Sequence, residues 1–305
     1  MPSATPVSEG FVPFRGFRTW YRIVGDLAQL GGPAKLPLLA LHGGPGESHD
    51  YLEPLEELAD TGRLINFYDQ LGGGNSDQPN DPSLWSIELF LEELSTVRHE
   101  LGLDHIHLLG YSWGGMLAME YALTQPVGLA SLILSSSPAS IPQWIAEANR
   151  LRRELPQEVQ ETLLYHEEAG TTDEAAYEEA MQVYEKRHIC RLDPWPEPWK
   201  RTLAKLESNP EVSDTMWGPN EFHVTGTLKE WDVRDRLGEI HLPTLVTSGR
   251  YDAATPAIAQ TVHRGIAGSE WVIFEHSSHA AHLEEEEEYR RVVEDFMRRV
   301  EGGQA

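Results

Sequence analysis

Residues of three types, set far apart in the chain, have the makings of an acyl-transfer site. Ser112 lies in "GYSWGG", between Gly110 and Gly114, with Gly115 following. A serine hydroxyl is a weak nucleophile at neutral pH. It needs a base to take its proton, and the base needs a carboxylate to orient it and balance its charge. The G-x-S-x-G spacing suits a nucleophile on a sharp strand-to-helix turn, where larger flanking side chains would run into backbone. In such sites the acid and the histidine follow the serine in chain order. "TLVTSGRYD" offers Asp252, for which a helix N-cap or turn aspartate is the ordinary alternative. "FEHSSHAAHLEE" offers three histidines: His276 at a strand end, His279 in mid-loop, and His282 in the first turn of the last helix. His279 is the best placed base and His282 its rival. The developing oxyanion needs backbone N–H donors, and losing one typically costs about 3 kcal/mol. Trp113, next after the serine, supplies one, and the "HGGPG" loop (42–46) supplies the other, Gly44 ahead of Gly43.

These groups have to be carried by strands whose ends lie together. "FVPFRGFRTWYRIVGD" reads as a hairpin, and "LPLLALHGGPG" as a short apolar strand halted by glycines and proline. A helix-like stretch around "YLEPLEELAD" leads to a strand in "RLINFYDQLGGG". Then come a helix in "SIELFLEELSTVRHELG", a strand in "HIHLLGYS", a helix in "WGGMLAMEYALTQP" and a strand in "LASLILSSSP". Such alternation signals an α/β fold with a mostly parallel sheet flanked by helices. From 138 to 232 the chain turns charged and helix-rich, and alternation resumes through "LPTLVTSGRYD", a helix from Pro256, "EWVIFEH" and a last helix through "YRRVVEDFMRRV". This predicts a core of residues 1–137 and 233–305 with an inserted helical cap, 138–232, over its active face. In an open parallel sheet ligands bind beyond the carboxyl ends of the strands, and Ser112 and the other three clusters all fall there.

Composition narrows the partners. With 24 Lys and Arg against 49 Asp and Glu, the net charge of −25 disfavours nucleic acid and anionic membranes. Part of that charge lies in "EEEEEY" (284–289) and "EEAGTTDEAAYEEA", read as solvated helix faces. Cys190 is the only cysteine, so neither an intrachain disulfide nor a cysteine-based metal cluster can form. No basic-then-apolar leader opens the sequence, and no apolar run approaches the ~20 residues of a membrane span. A soluble cytoplasmic protein is expected, and its oligomeric state stays open.

Seven segments, "LHGGPG", "FYDQLGGGNSD", "GYSWGG", "RHICRLDPWPE", "GPNEFHVTGTLKEWD", "GRYDAATP" and "SSHAAHLEE", spread over most of the chain, resemble the proline iminopeptidase family of α/β-hydrolases. The resemblance implies an α/β-hydrolase fold and a serine peptidase that removes an N-terminal residue, often proline, from small peptides or aminoacyl amides. It needs no metal or organic cofactor. It also implies a cap whose acidic groups hold the free α-amino group, since a buried cation needs a partner carboxylate. Glu221 in "GPNEF" matches the amine-binding glutamate, with a cap salt bridge as its plainer role. Arg250 stands where some members carry a second glutamate. It can pair with Glu221 and cancel it, point away, or favour a substrate with a carboxylate or carbonyl. Trp195 and Trp199 suit either pocket lining or cap packing, and Cys190 suits a buried structural thiol better than a reactive one. The competing activities are an amino-acid amidase or an esterase on neutral small molecules. A non-enzymatic ligand receptor on the same scaffold is the remaining alternative.

Overall fold

A computed structural model describes residues 5–27 and 35–303, so residues 1–4, 28–34 and 304–305 of the expected core ranges lie outside the described residues. Eight strands form one sheet: β1 (Val7–Phe14), β2 (Phe17–Val24), β3 (Leu38–Leu41), β4 (Ile65–Tyr68), β5 (Ile106–Tyr111), β6 (Leu129–Ser135), β7 (Thr244–Gly249) and β8 (Glu270–Phe274). Their spatial order is β1-β2-β4-β3-β5-β6-β7-β8. The first hairpin and the β2–β4 pair are antiparallel, and all later pairs are parallel. Every residue of β3, β4, β5, β6 and β7 is buried, as expected of short apolar strands covered on both faces.

The covering helices α1 (Ile87–Glu100), α2 (Trp113–Leu123), α8 (Pro256–Gly265) and α10 (Glu286–Gly302) begin and face as their residues dictate. The Ser86 hydroxyl caps α1 by accepting from Leu89 N–H, and Leu89, Phe90, Leu94 and Val97 form its buried stripe. Thr255 caps α8, with Pro256 at the first helical position. The helix-like stretch at "YLEPLEELAD" is a 3-10 helix, Asp50–Thr61, with Pro54 inside it, ended by Gly62 at φ 85°. His282 likewise falls in a separate single turn, α9 (Ala281–Glu284), before the last helix.

Between β6 and β7 run α3 (Ile141–Arg152), α4 (Gln157–Ala169), α5 (Ala175–His188), α6 (Glu197–Ser208) and α7 (Glu211–Met216). The two ends of this excursion meet in an isolated bridge, Ser140 to Asp232, with Ile141 N–H donating to Trp231 O and Val233 N–H to Ala139 O. The α6 helix is anchored on the 3-10 helix by charge: Asp50 accepts from Arg201 at 3.0 Å and from Lys205 at 2.6 Å. Those two cations hold Asp50 down to about pKa 2 against the effect of burial.

Candidate active site

Strand order decides which loops can meet. The chain steps from β3 to β4 on one side and then crosses back over β3 to enter β5 on its other side, and this reversal opens a crevice at the carboxyl ends of β3 and β5. Leu41 pairs with Gly110, so the "HGGPG" loop and the serine turn leave adjacent strands at the same height. Ser112 then sits at φ 53°, ψ −118°, a left-handed-side conformation that a non-glycine residue holds only where its surroundings enforce it. The enforcement is visible at both flanking glycines. A Cβ on Gly110 would lie 2.3 Å from Gly114 O, and one on Gly114 would lie 2.4 Å from Leu41 O. Gly115 is as crowded, with Ser137 Oγ 1.9 Å from its would-be Cβ.

Asp252 and His279 come from the loops after β7 and β8. The Asp252 carboxylate is buried; Oδ1 accepts from His279 Nδ1–H at 2.7 Å and from Ala254 N–H at 2.7 Å, and Oδ2 accepts from Gly249 N–H at 3.2 Å. His279 therefore carries its proton on Nδ1 and presents Nε2 as a base. Burial alone would lower its pKa, but the Asp252 charge and hydrogen bond, with Glu221 and Glu47 behind them, leave it raised. Its carbonyl accepts from Tyr111 OH and Ser136 Oγ, both at 3.1 Å, which fixes the loop over the end of β6. The rival His282 is excluded by its surroundings. Its Nε2–H donates to Tyr51 O, aromatic rings of Tyr51, Tyr111 and Tyr289 pack on it, and burial drives its pKa down to about 3. His276 is exposed. Ser112 Oγ makes no hydrogen bond among the described residues, and it lines the same cavity as His279, whose Nδ1 is held by Asp252.

Gly43 and Gly44 are separated by their partners. Gly43 N–H donates to Tyr51 OH and is committed, whereas the N–H groups of Gly44 and Trp113 have no partner among the described residues. The loop is braced from behind: Gln70 N–H donates to His42 Nε2, His42 Nδ1–H donates to Gly43 O, and Trp113 Nε1–H donates to Gln70 Oε1. The "FYDQ" segment thus positions the oxyanion loop and the serine turn together, a role not readable from residue types.

Ser112, His279 and Gly44 share one wall of a cavity of about 510 Å³ roofed by the helices between β6 and β7. Five glutamates line it, Glu47, Glu178, Glu185, Glu207 and Glu221, and among the described residues lining it there is no Lys or Arg. Glu221 Oε2 is buried without a hydrogen-bond partner, and burial raises this carboxyl to about pKa 7. No salt bridge of Glu221 forms among the described residues, which removes its plainer role. Arg250 points outward into a two-pronged pair with Glu275 and leaves Glu221 alone. Trp195 and Trp199 both line the cavity, and Trp199 also packs edge-on against Tyr51. Cys190 is buried, which pushes its thiol up to about pKa 12 and keeps it unreactive.

Two features went unforeseen. Glu47 follows "HGGPG" directly, where an acid next to the loop was the available signal. The other is the run "EEEEEY": Glu284 and Glu285 turn inward, Glu284 accepting from Ser278 N–H and Oγ–H and Glu285 from Ser277 Oγ–H and His276 N–H. They pin the loop that carries His279 rather than forming a solvated face.

Comparison with known proteins agrees with this fold. The sequence pattern described as the alpha/beta hydrolase fold matches residues 37–286. The proline iminopeptidase of Clostridium botulinum is 40% identical over 292 residues, covering 95% of this chain and 98% of that one. The crystal structure of VinJ superposes with a TM-score of 0.92 at 42% identity, covering 96% of this chain and 99% of VinJ. That of the proline iminopeptidase of Mycobacterium smegmatis does so with 0.89 at 40% identity, covering 98% of this chain and all of the other. No described helix is long and apolar enough to cross a membrane. With a shared fold and near-complete coverage at this level of identity, the chain belongs to the proline iminopeptidase family of α/β-hydrolases.

Proposed function

We propose that the protein is a serine aminopeptidase that cleaves the amide bond after the N-terminal residue of small peptides or aminoacyl amides. The observation that carries this is the Glu221 carboxylate, its Oε2 buried without a hydrogen-bond partner, in the same cavity as Ser112 and the Asp252–His279 pair. An empty site with that charge balance calls for a cationic substrate, and an α-ammonium beside the scissile carbonyl supplies it. A neutral ester or amide would leave the charge uncompensated, which disfavours the esterase reading now that Arg250 is paired elsewhere.

In the reaction, Ser112 Oγ attacks the carbonyl carbon while His279 Nε2 takes its proton. Gly44 and Trp113 N–H groups hold the oxyanion, and the positive end of α2 favours it further. His279 then gives the proton to the leaving amine, and Asp252 balances the imidazolium in between. Water attacks the resulting acyl-enzyme by the same route and frees the amino acid and Ser112. Every step uses only these groups and water. The same reading divides the chain at the Ser140–Asp232 bridge into a hydrolase core, 1–137 and 233–305, and a cap, 138–232. A cytoplasmic location fits a single, buried thiol.

The test pairs a variant with a substrate comparison. Ser112→Ala should keep the circular dichroism spectrum and lose turnover of an alanyl or prolyl arylamide. The wild type should cleave the free-amine substrate and spare its N-acetylated form. Cleavage of both forms at similar rates would refute the aminopeptidase reading.

A further inference from the structure

Of the cavity-facing acids that the mechanism leaves without a task, Glu47 is the one supplied by the core beside the serine. Glu47 lines the catalytic cavity from the core, directly after the "HGGPG" loop. A Cβ on Gly43 would lie 3.1 Å from Ser112 Cβ and 3.2 Å from Glu47 Oε2, so the carboxylate stands beside the nucleophile. Tyr51 OH donates to Glu47, and the same hydroxyl accepts from Gly43 N–H. Burial raises the Glu47 carboxyl, against the smaller opposing effects of the Tyr51 hydroxyl and of His279. Glu221 faces the same space from the cap, and the negative charges of the two residues act on each other and on His279.

Two desolvated carboxylates that repel each other, in a cavity where no Lys or Arg lines the described wall, are satisfied together by one cation placed between them. A primary ammonium has three N–H donors and the secondary ammonium of proline has two, so either can serve two acceptors at once. We infer that Glu47 is a second anchor for the substrate's α-ammonium, which is held between Glu221 of the cap and this core carboxylate beside the oxyanion loop. The inference rests on the aminopeptidase reading and deepens it. It makes Glu47 a determinant of selectivity for a protonated amine on the carbon next to the scissile carbonyl. A substrate so gripped also bridges cap and core, so binding the amine draws the two together over Ser112.

Because Glu47 also touches Tyr51, bracing of the Gly43 loop has to be told apart from anchoring. The experiment compares L-alanyl 4-nitroanilide with isobutyryl 4-nitroanilide, which replaces the ammonium by a methyl group of similar size. The rate of Ser112 labelling by a fluorophosphonate serves as a third, amine-independent reading. Glu47→Gln should cut kcat/KM for the alanyl substrate at least tenfold, mainly through KM. That loss should exceed the change in the other two readings by at least tenfold. Glu47→Asp, which keeps the charge one methylene further back, should recover part of the KM. Tyr51→Phe should lower all three readings together, since it acts through the oxyanion loop. Equal losses on all three in Glu47→Gln, or an alanyl KM within twofold of wild type, overturn the anchor. A wild type that does not distinguish the two anilides overturns the aminopeptidase reading and the anchor with it. A wild type that distinguishes them, with the distinction intact in Glu47→Gln, overturns the anchor alone.

Discussion

Replacing Glu221 by glutamine isolates the charge that the cavity holds for a substrate amine. Its carboxyl is raised from 4.5 to about 7, chiefly by desolvation. A shift of that size corresponds to about 3 kcal/mol of unfavourable charging in the empty site. An ammonium within hydrogen-bond reach offsets this cost, and a neutral amide cannot, so Glu221→Gln should weaken an alanyl 4-nitroanilide on the order of 100-fold in kcat/KM. The isosteric isobutyryl substrate should hold or gain. The pH profile carries the sign. An acid must be ionised to hold an ammonium, so below about pH 7 the wild type loses binding as Glu221 takes up a proton. It also loses its base as His279, itself raised, becomes protonated. At least these two groups must therefore be deprotonated in the free enzyme, and the acid limb of log kcat/KM for the amine substrate should be steeper than the slope of one that His279 alone would give. In Glu221→Gln one of these protons leaves the profile and the limiting slope should fall by one. Initial rates from about pH 4.5 to 9 with both substrates decide the matter. A variant that loses the two substrates in equal proportion, or keeps the wild-type slope, would refute the reasoning.

Asp252→Asn removes the acceptor that fixes the His279 tautomer and should lower kcat by about 10⁴ with little change in KM, read on an arylamide. Gly115→Ala drives a Cβ into Ser137 and should cost about 1–3 kcal/mol in urea unfolding. Adding Ser137→Gly should recover most of it, and failure to do so would place the strain elsewhere. Glu93 is fully buried, its Oε2 has no partner, and its carboxyl is raised to about 8. The native state therefore keeps a proton there that the unfolded chain releases from about pH 4.5 upward. Wild-type stability should fall as pH climbs through that window to 8, and Glu93→Gln should flatten the slope, measured as urea midpoints at several pH values.

What could be read from the sequence was what depends on residue type and local spacing. The strands β3, β5, β6 and β7 are runs of apolar residues bounded by glycine, proline or polar loops, and their burial on both faces follows from that alone. The serine turn was legible because Gly110 and Gly114 answer to steric limits that few other residues meet. Choosing His279 over His282 depended on position within a loop, and the burial that neutralises His282 is a tertiary fact. Choosing Gly44 over Gly43 as a donor needed Tyr51, eight residues on, to occupy one of two otherwise equal N–H groups. Arg250 illustrates the limit of reading charges in one dimension. Its partner Glu275 lies 25 residues away on the next strand's end, and only the sheet brings them side by side, outside the cavity.

Backbone polar groups carry the part of the site that residue types hide. The carbonyl of His188, at the end of α5, accepts from Ala253 N–H at 3.0 Å and from His279 N–H at 3.2 Å, and Ile189 O accepts from Ala280 N–H at 3.1 Å. His188 Nδ1–H also donates to Tyr251 O at 2.8 Å. The "RHIC" segment is thus a strap that holds the acid loop and the base loop in one frame, through three backbone carbonyl bonds that any residue could make and one that needs the His188 ring. Its specific sequence is needed to bring that carbonyl to the right place, with Cys190 filling the buried space behind it. A consequence follows for the relation between cap and chemistry. The helices that roof the cavity are not a lid resting on a finished triad, because the Asp252–His279 pair is referenced to the end of α5 through two shared hydrogen bonds. Displacing α5 would move both loops, and with them the position of His279 relative to Ser112.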